Sequence, residues 1–203
     1  MRRTALLVAV MAACLVVASG VALAVNRVGT NGDDTLRGTD GDDNLSGLRG
    51  EDRLLGKVGS DNLSGGPGKD VVLGGDERSL RVGDKNLDGG GGNDFVGGGR
   101  GADNASGGDG NDLLIDGPLG ESSRDNLSGG SGKDVIVVDN FPAVRDAVGC
   151  GSGFDRVLAD RKDTVARDCE RVVVVRGSRE AVRRQEREFL ESIPESFFAG
   201  LQQ

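Results

Sequence analysis

The chain has 203 residues, 36 of them glycine and only 3% aromatic, with no histidine, tryptophan or tyrosine. Thirty-three acidic against 25 basic residues leave a formal net charge of −8. Without histidine there can be no H-E-x-x-H zinc site and no Ser-His-Asp triad, and the acidic balance argues against a nucleic-acid partner, which wants the opposite sign.

The first segment carries the marks of export. Arg2 and Arg3 form a small basic start, Ala5 to Ala24 is apolar without a charge, and Ala22-Leu23-Ala24 is an A-x-A cleavage signal. The expectation is a signal peptide over residues 1–24, followed by a short linker at 25–28. The same stretch is long enough to span a bilayer if left uncleaved, and that alternative stays open. Met11-Ala12-Ala13-Cys14 is a weak lipoprotein box, disfavoured because a lipidated Cys14 would leave a long apolar mature start.

From Gly29 a nine-residue unit recurs: GTNGDDTLR, GTDGDDNLS, GLRGEDRLL, GKVGSDNLS and GGPGKDVVL. Each has Gly first, Gly fourth, Asp sixth and an apolar residue eighth. A longer unit, Gly74–Asp88, adds six residues, after which GGGGNDFVG, GGRGADNAS and GGDGNDLLI resume the register. A second long unit, Asp116–Ser128, precedes GGSGKDVIV from Gly129. Two places before each apolar residue stand Asp34, Asp43, Asp52, Asp61, Asp70, Lys85, Asp94, Asp103, Asp112, Asp125 and Asp134. The apolar series itself is Leu36, Leu45, Leu54, Leu63, Val72, Leu87, Val96, Ala105, Leu114, Leu127 and Ile136. The acid is concentrated here, with 22 acidic and 11 basic residues between Gly29 and Asn140 against 11 of each from Phe141 to Gln203.

Each residue type has a physical use at its place. Glycine permits positive φ and close backbone approach, so six residues can turn sharply and aim several carbonyls inward. Aspartate adds a hard anionic oxygen, and calcium takes six to eight oxygens from carboxylates and carbonyls. The next three residues form a very short strand whose middle side chain points inside, and strands from successive coils stack about 4.8 Å apart. Composition alone would also suit a disordered Gly/Asp linker. It would not explain an apolar residue held two places after an acidic one through unit after unit.

The pattern G-G-x-G-x-D-x-U-x resembles the RTX, or hemolysin-type calcium-binding, repeat over more than half of the chain. The resemblance implies an all-β, right-handed parallel β-roll over residues 29–140, two nonapeptides to a coil, with several Ca2+ ions between turns of successive coils. Asp34, Asp43, Asp52, Asp61, Asp70, Asp94, Asp103, Asp112, Asp125 and Asp134 become the expected metal ligands. Alternate units put Asp34, Asp52, Asp70, Asp94, Asp112 and Asp134 on one face, and Asp43, Asp61, Lys85, Asp103 and Asp125 on the other. The first face is then expected to hold a continuous file of ions and the second to be interrupted at Lys85. Without metal, carboxylates about 5 Å apart repel by ~3 kcal/mol at an effective dielectric of 20, so folding is expected to be coupled to calcium.

Beyond Asn140 the pattern fades. Cys150–Leu158, CGSGFDRVL, keeps Gly153, Asp155 and Val157 in place and puts Cys where the first Gly stands. With Cys169-Glu170-Arg171 it resembles the CGxGxD…CExV ending found after such repeats in secreted bacterial proteins. An even pair of cysteines in an exported protein most simply means a Cys150–Cys169 disulfide, with free thiols as the alternative. Residues 141–176 are expected to form a degenerate, disulfide-bonded cap. In residues 177–203, Ser178 can cap a helix over Glu180 to Ile193 that ends at Pro194, with Val182, Phe189, Leu190 and Ile193 on one face. Whether that helix docks or frays is open.

The function expected from these readings is a secreted calcium-binding β-roll. It is expected to be a monomer and no enzyme, with no small-molecule substrate. The alternative is a calcium-gated adhesion or partner-interaction module at the cell surface. The lack of Trp and Tyr, the residues that favour interface hot spots, weighs against it.

Overall fold

Very short strands alternate with turns, and the period of the sequence is the period of the structure. The computed structural model describes residues 23–76, 83–117 and 123–199; the expected signal segment falls almost wholly outside them. One sheet contains, in spatial order, β1 (Asn26–Val28), β3 (Asn44–Ser46), β5 (Asn62–Pro67), β7 (Asn86–Gly91), β9 (Asn104–Asp109), β11 (Asn126–Gly132), β13 (Ala147–Gly153) and β15 (Thr164–Val165). The other contains β2 (Thr35–Arg37), β4 (Arg53–Lys57), β6 (Val71–Asp76), β8 (Phe95–Arg100), β10 (Leu113–Ile115), β12 (Val135–Val138), β14 (Arg156–Ala159) and β16 (Arg171–Val174). Odd and even strands fall in different sheets and each pairs in parallel with the strand two on. The chain is therefore an all-β parallel solenoid.

The apolar eighth residues fill its interior. Leu45, Leu63, Leu87, Ala105, Leu127 and Val148 stack in one column, and Leu54, Val72, Val96, Leu114, Ile136 and Val157 in the facing one, all buried. A strand of three residues has little stability alone; stacking turns the single inward side chain of each into a continuous core. Both sheets run through Asn140 without a break, since β13 pairs with β11 and β14 with β12. Residues 141–176 thus add further coils. Cys150 and Cys169 are joined as a disulfide, with Cα atoms 5.2 Å apart.

The two outer faces differ. The odd-strand sheet presents Asn44, Asn62, Asn86, Asn104 and Asn126, all exposed. The even-strand sheet presents Leu113, Val135, Val137 and Leu158, and these are buried by helix α1 (Arg179–Glu191). Ser178 caps α1, its side chain accepting from the Ala181 N–H at 3.4 Å, and a one-turn helix, α2 (Glu195–Ala199), follows Pro194. Val182, Phe189 and Ile193 are buried against the sheet and Leu190 packs beside them. Arg156 fastens the far end: its guanidinium lies 5.4 Å from the centroid of the Phe189 ring and donates to the Ser192 carbonyl at 2.9 Å. The C-terminal helix is docked.

Candidate metal centre

Each sixth-place aspartate follows a turn and precedes a strand, so the two sheets carry two files of turns. In the first file the backbone N–H of each aspartate donates to Oδ1 of the aspartate one coil on: Asp34 to Asp52, Asp52 to Asp70, Asp70 to Asp94, Asp94 to Asp112, Asp112 to Asp134 and Asp134 to Asp155, at 2.7 to 3.0 Å. The Asp155 N–H closes the file on Glu170 Oε2 at 2.8 Å. In the second file the same bond runs from Asp43 to Asp61, Asp84, Asp103, Asp125, Asp146 and Asp163, at 2.7 to 3.1 Å.

The second file corrects the reading of Lys85. Asp84, one residue earlier, takes the rung, while Asn86 and Leu87 keep register with Asn62 and Leu63. Lys85 is an inserted residue whose ammonium sits at the surface, 3.9 Å from Asp42. The expected interruption of that file by a lysine is therefore not there. Neither the fourth-place glycine, Gly83, nor Leu87 points to Asp84, since two residues on from the one and two back from the other both give Lys85. Asp146, Asp155, Asp163 and Glu170 also join the ladders, and a signal for them existed: an acidic residue two places before Val148, Val157, Val165 and Val172.

The other carboxylate oxygen is what makes these turns a site. Oδ2 of Asp52, Asp61, Asp70, Asp84, Asp94, Asp112, Asp134 and Asp155 is buried and has no hydrogen-bond partner. An orphaned buried anionic oxygen is costly unless a cation neutralises it. Except at Asp155, whose turn begins with Cys150, Oδ2 lies against the first glycine of its own turn, next to the carbonyl of the first residue one coil on. A Cβ on Gly129 would sit 2.5 Å from Asp134 Oδ2 and 2.7 Å from the Cys150 carbonyl oxygen. The missing side chain is therefore what lets a carboxylate and a carbonyl converge, and this oxygen set fits a hard cation. The first coil differs, because the N–H groups of Thr30 and Thr39 donate to Oδ2 of Asp34 and Asp43 at 2.5 Å.

Electrostatics agree with geometry. Burial pushes the carboxyls of Asp61 and Asp70 up to about 6, and those of Asp94, Asp112 and Asp134 up to about 7. Asp84 is pushed to about 8, chiefly by burial, with Asp103 and Asp61 adding repulsion. In each, the N–H of the preceding rung pulls the other way but is outweighed.

Higher in the second file the pattern changes. Asp116 stands where lower coils have the first glycine, and a Cβ on Gly98 would sit 2.5 Å from its carbonyl oxygen. Its carboxylate joins those of Asp125 and Asp146, with one ligand atom of each within 4.8 Å of the others and all three residues buried. Asn140 Nδ2 donates to Asp116 Oδ2 at 3.0 Å and to Asp146 Oδ2 at 2.6 Å. Burial, followed by Asp125 and Asp146, holds the Asp116 carboxyl well above the usual range.

The RTX calcium-binding nonapeptide repeat matches the chain in four copies, over residues 28–63, 47–78, 83–117 and 119–140. No curated protein matches it as a relative. Those four copies cover more than half of the residues, and Ca2+ is the ion that such repeats bind in their turns. The chain belongs to the RTX calcium-binding nonapeptide-repeat family.

Proposed function

We propose that this is an exported, non-catalytic protein whose solenoid folds when calcium enters its two files of turns. The observation that carries the reading is the series of buried Oδ2 atoms without partners on Asp52, Asp61, Asp70, Asp84, Asp94, Asp112, Asp134 and Asp155. Asp34, Asp43, Asp52, Asp61, Asp70, Asp84, Asp94, Asp103, Asp112, Asp125 and Asp134 would hold the ions, together with carbonyls of the turns; Asp146 and Asp155 extend the two files.

Calcium supplies positive charge among oxygens that otherwise repel one another. The chain's own residues do the rest. Each aspartate uses Oδ1 to fix the backbone of the preceding coil and leaves Oδ2 for metal, so binding on one rung orients its neighbour. The first glycines keep the carbonyls within reach, and the two inward apolar columns provide the thin core between the files.

Export is supported by the basic start and A-x-A signal at residues 1–24, by the Cys150–Cys169 pair and by the suitability of such sites for a calcium-rich exterior. Among the described residues no helix is long and apolar enough to cross a membrane.

Equilibrium dialysis of the exported chain against radioactive calcium tests the reading. Several ions should bind per chain, and an equal concentration of magnesium should displace few of them, because magnesium demands tighter octahedral geometry. One ion or none per chain, or equal competition by magnesium, would overturn it.

A further inference from the structure

The far end of the solenoid is an open strand edge. Among the described residues, strand β16 lies last in its sheet and pairs only with β14. The N–H groups of Arg171 and Val175 donate down to Asp155 (3.1 Å) and Ala159 (2.9 Å). In a parallel ladder the bonding groups alternate, so the N–H and C=O of Val172 and Val174 face away from β14. Their side chains also point inward: Val172 continues the column above Val157, and Val174 stands above Ala159. Both inner columns should be buried, yet Val172 is 40% and Val174 39% exposed. Helix α1 covers the outer face of this sheet and caps its edge only past the strand, where Gln185 accepts from the Arg176 N–H at 3.3 Å and donates to its carbonyl at 2.8 Å; the edge at Val172 and Val174 stays open. The last coil therefore does not seal the roll.

We propose that two copies of this chain pair through this edge, β16 against β16 in antiparallel register about a two-fold axis at Val173. That register sets Val172 opposite Val174 of the second copy, the arrangement in which their outward N–H and C=O groups exchange hydrogen bonds. It continues the sheet across both molecules and covers both valines of each copy.

The occupant follows from the two ends of the solenoid. Head-to-tail stacking would place the first coil on β15 and β16, but β1 carries Arg27 at the inward register position, opposite Leu45. An arginine pressed on an apolar column would lose its hydration without a partner. The C-terminal ends carry no such charge at their inward valines. An isologous contact also closes at two copies, whereas a head-to-tail contact grows without limit. The proposal differs here from the monomer expected from the sequence.

Sedimentation velocity of the exported chain in millimolar calcium should show a concentration-dependent monomer–dimer equilibrium. Val174→Pro removes only an edge-facing N–H, which an edge strand tolerates. It should weaken the dimer roughly thirty-fold, since two edge hydrogen bonds are lost per pair. Val173→Cys puts two thiols across the axis at a non-hydrogen-bonded pair, where oxidation should yield a covalent dimer on a non-reducing gel. Circular dichroism of each variant reports whether its roll is intact. A monomer at every concentration, a dimer indifferent to Val174→Pro with no cross-link in the Val173→Cys variant, or open-ended polymer growth would each overturn the proposal.

Discussion

The backbone N–H of Asp61 donates to Oδ1 of Asp84 at 2.8 Å, across an insertion of several residues and past the lysine that follows. The Asp84 N–H passes the same bond to Asp103 at 2.7 Å. The ladder of carboxylates thus survives where the nonapeptide itself is broken. One surplus residue, Lys85, is taken up between the rung and the strand, and both stay in register.

The two neighbouring residues should consequently behave very differently when replaced. Asp84→Ala orphans the buried Asp61 N–H and removes an oxygen proposed to hold metal, and should cost ~1–3 kcal/mol for the lost bond alone. Its calcium midpoint should rise. Lys85→Ala removes an exposed charge and should stay within ~0.5 kcal/mol. Urea unfolding in fixed calcium distinguishes them, and equal losses would contradict the assignment of the rung.

Glycines of the repeat are not equivalent. A Cβ on Gly107 would meet the Asp112 carboxylate and, at 2.6 Å, the Gly129 carbonyl oxygen; one on Gly91 would meet nothing within 4 Å. Gly107→Ala should therefore lower stability by ~1–3 kcal/mol through overpacking and weaken calcium binding. Gly91→Ala should change stability by less than about 0.5 kcal/mol. Thermal melts in calcium check both, and a larger loss at Gly91 would count against the turn geometry described.

Docking of the C-terminal helix depends on Phe189, buried between the sheet and the Arg156 guanidinium. Phe189→Ala should cost about 3 kcal/mol and expose Val135 and Leu158 to water. Amide exchange in α1 should accelerate while the lower coils stay protected. Unchanged exchange in the helix would show that its contact contributes little.

Acidity should substitute in part for metal. An ordinary aspartate loses its proton near 3.8, whereas burial holds Asp94, Asp112 and Asp134 protonated to about 7 and Asp84 to about 8 in the metal-free fold. Between those limits the fold binds more protons than the unfolded chain, so its stability falls as pH rises through the window and returns as pH falls. In chelator, β structure should increase from about pH 8 to about pH 5. With calcium present the sign reverses for the ion, since protons compete for the same oxygens, and the calcium midpoint should rise as pH falls. A chelated chain whose spectrum ignores pH would contradict the raised carboxyls.

Much of this architecture was legible in the sequence because one constraint repeats: an acidic residue two places before an inward apolar one. That rule placed Asp52, Asp70, Asp94, Asp112 and Asp134 in one file and predicted the columns of Leu54 to Ile136. It misplaced Lys85 because it assumed a fixed distance between carboxylate and strand, and one inserted residue between Asp84 and Asn86 changes that distance without moving either ladder. The ladders beyond Asn140 were harder to see because glycine is absent from the turns before Asp146 and Asp163, which leaves only the acidic and apolar residues to mark them. Docking of α1 could not be read from its own amphipathic face. It depends on the second apolar row of the even strands, Leu113, Val135, Val137 and Leu158, which a repeat reading assigns only to the outside.

The central claim is that calcium, by neutralising the two ladders, is what folds the solenoid. Far-ultraviolet circular dichroism of the exported chain near pH 7.5, first in chelator and then through a calcium titration into the millimolar range, tests it most directly. A largely disordered spectrum in chelator that converts cooperatively to β structure with calcium, and much less with magnesium, is the expected result. The same β spectrum in chelator and in calcium would contradict it.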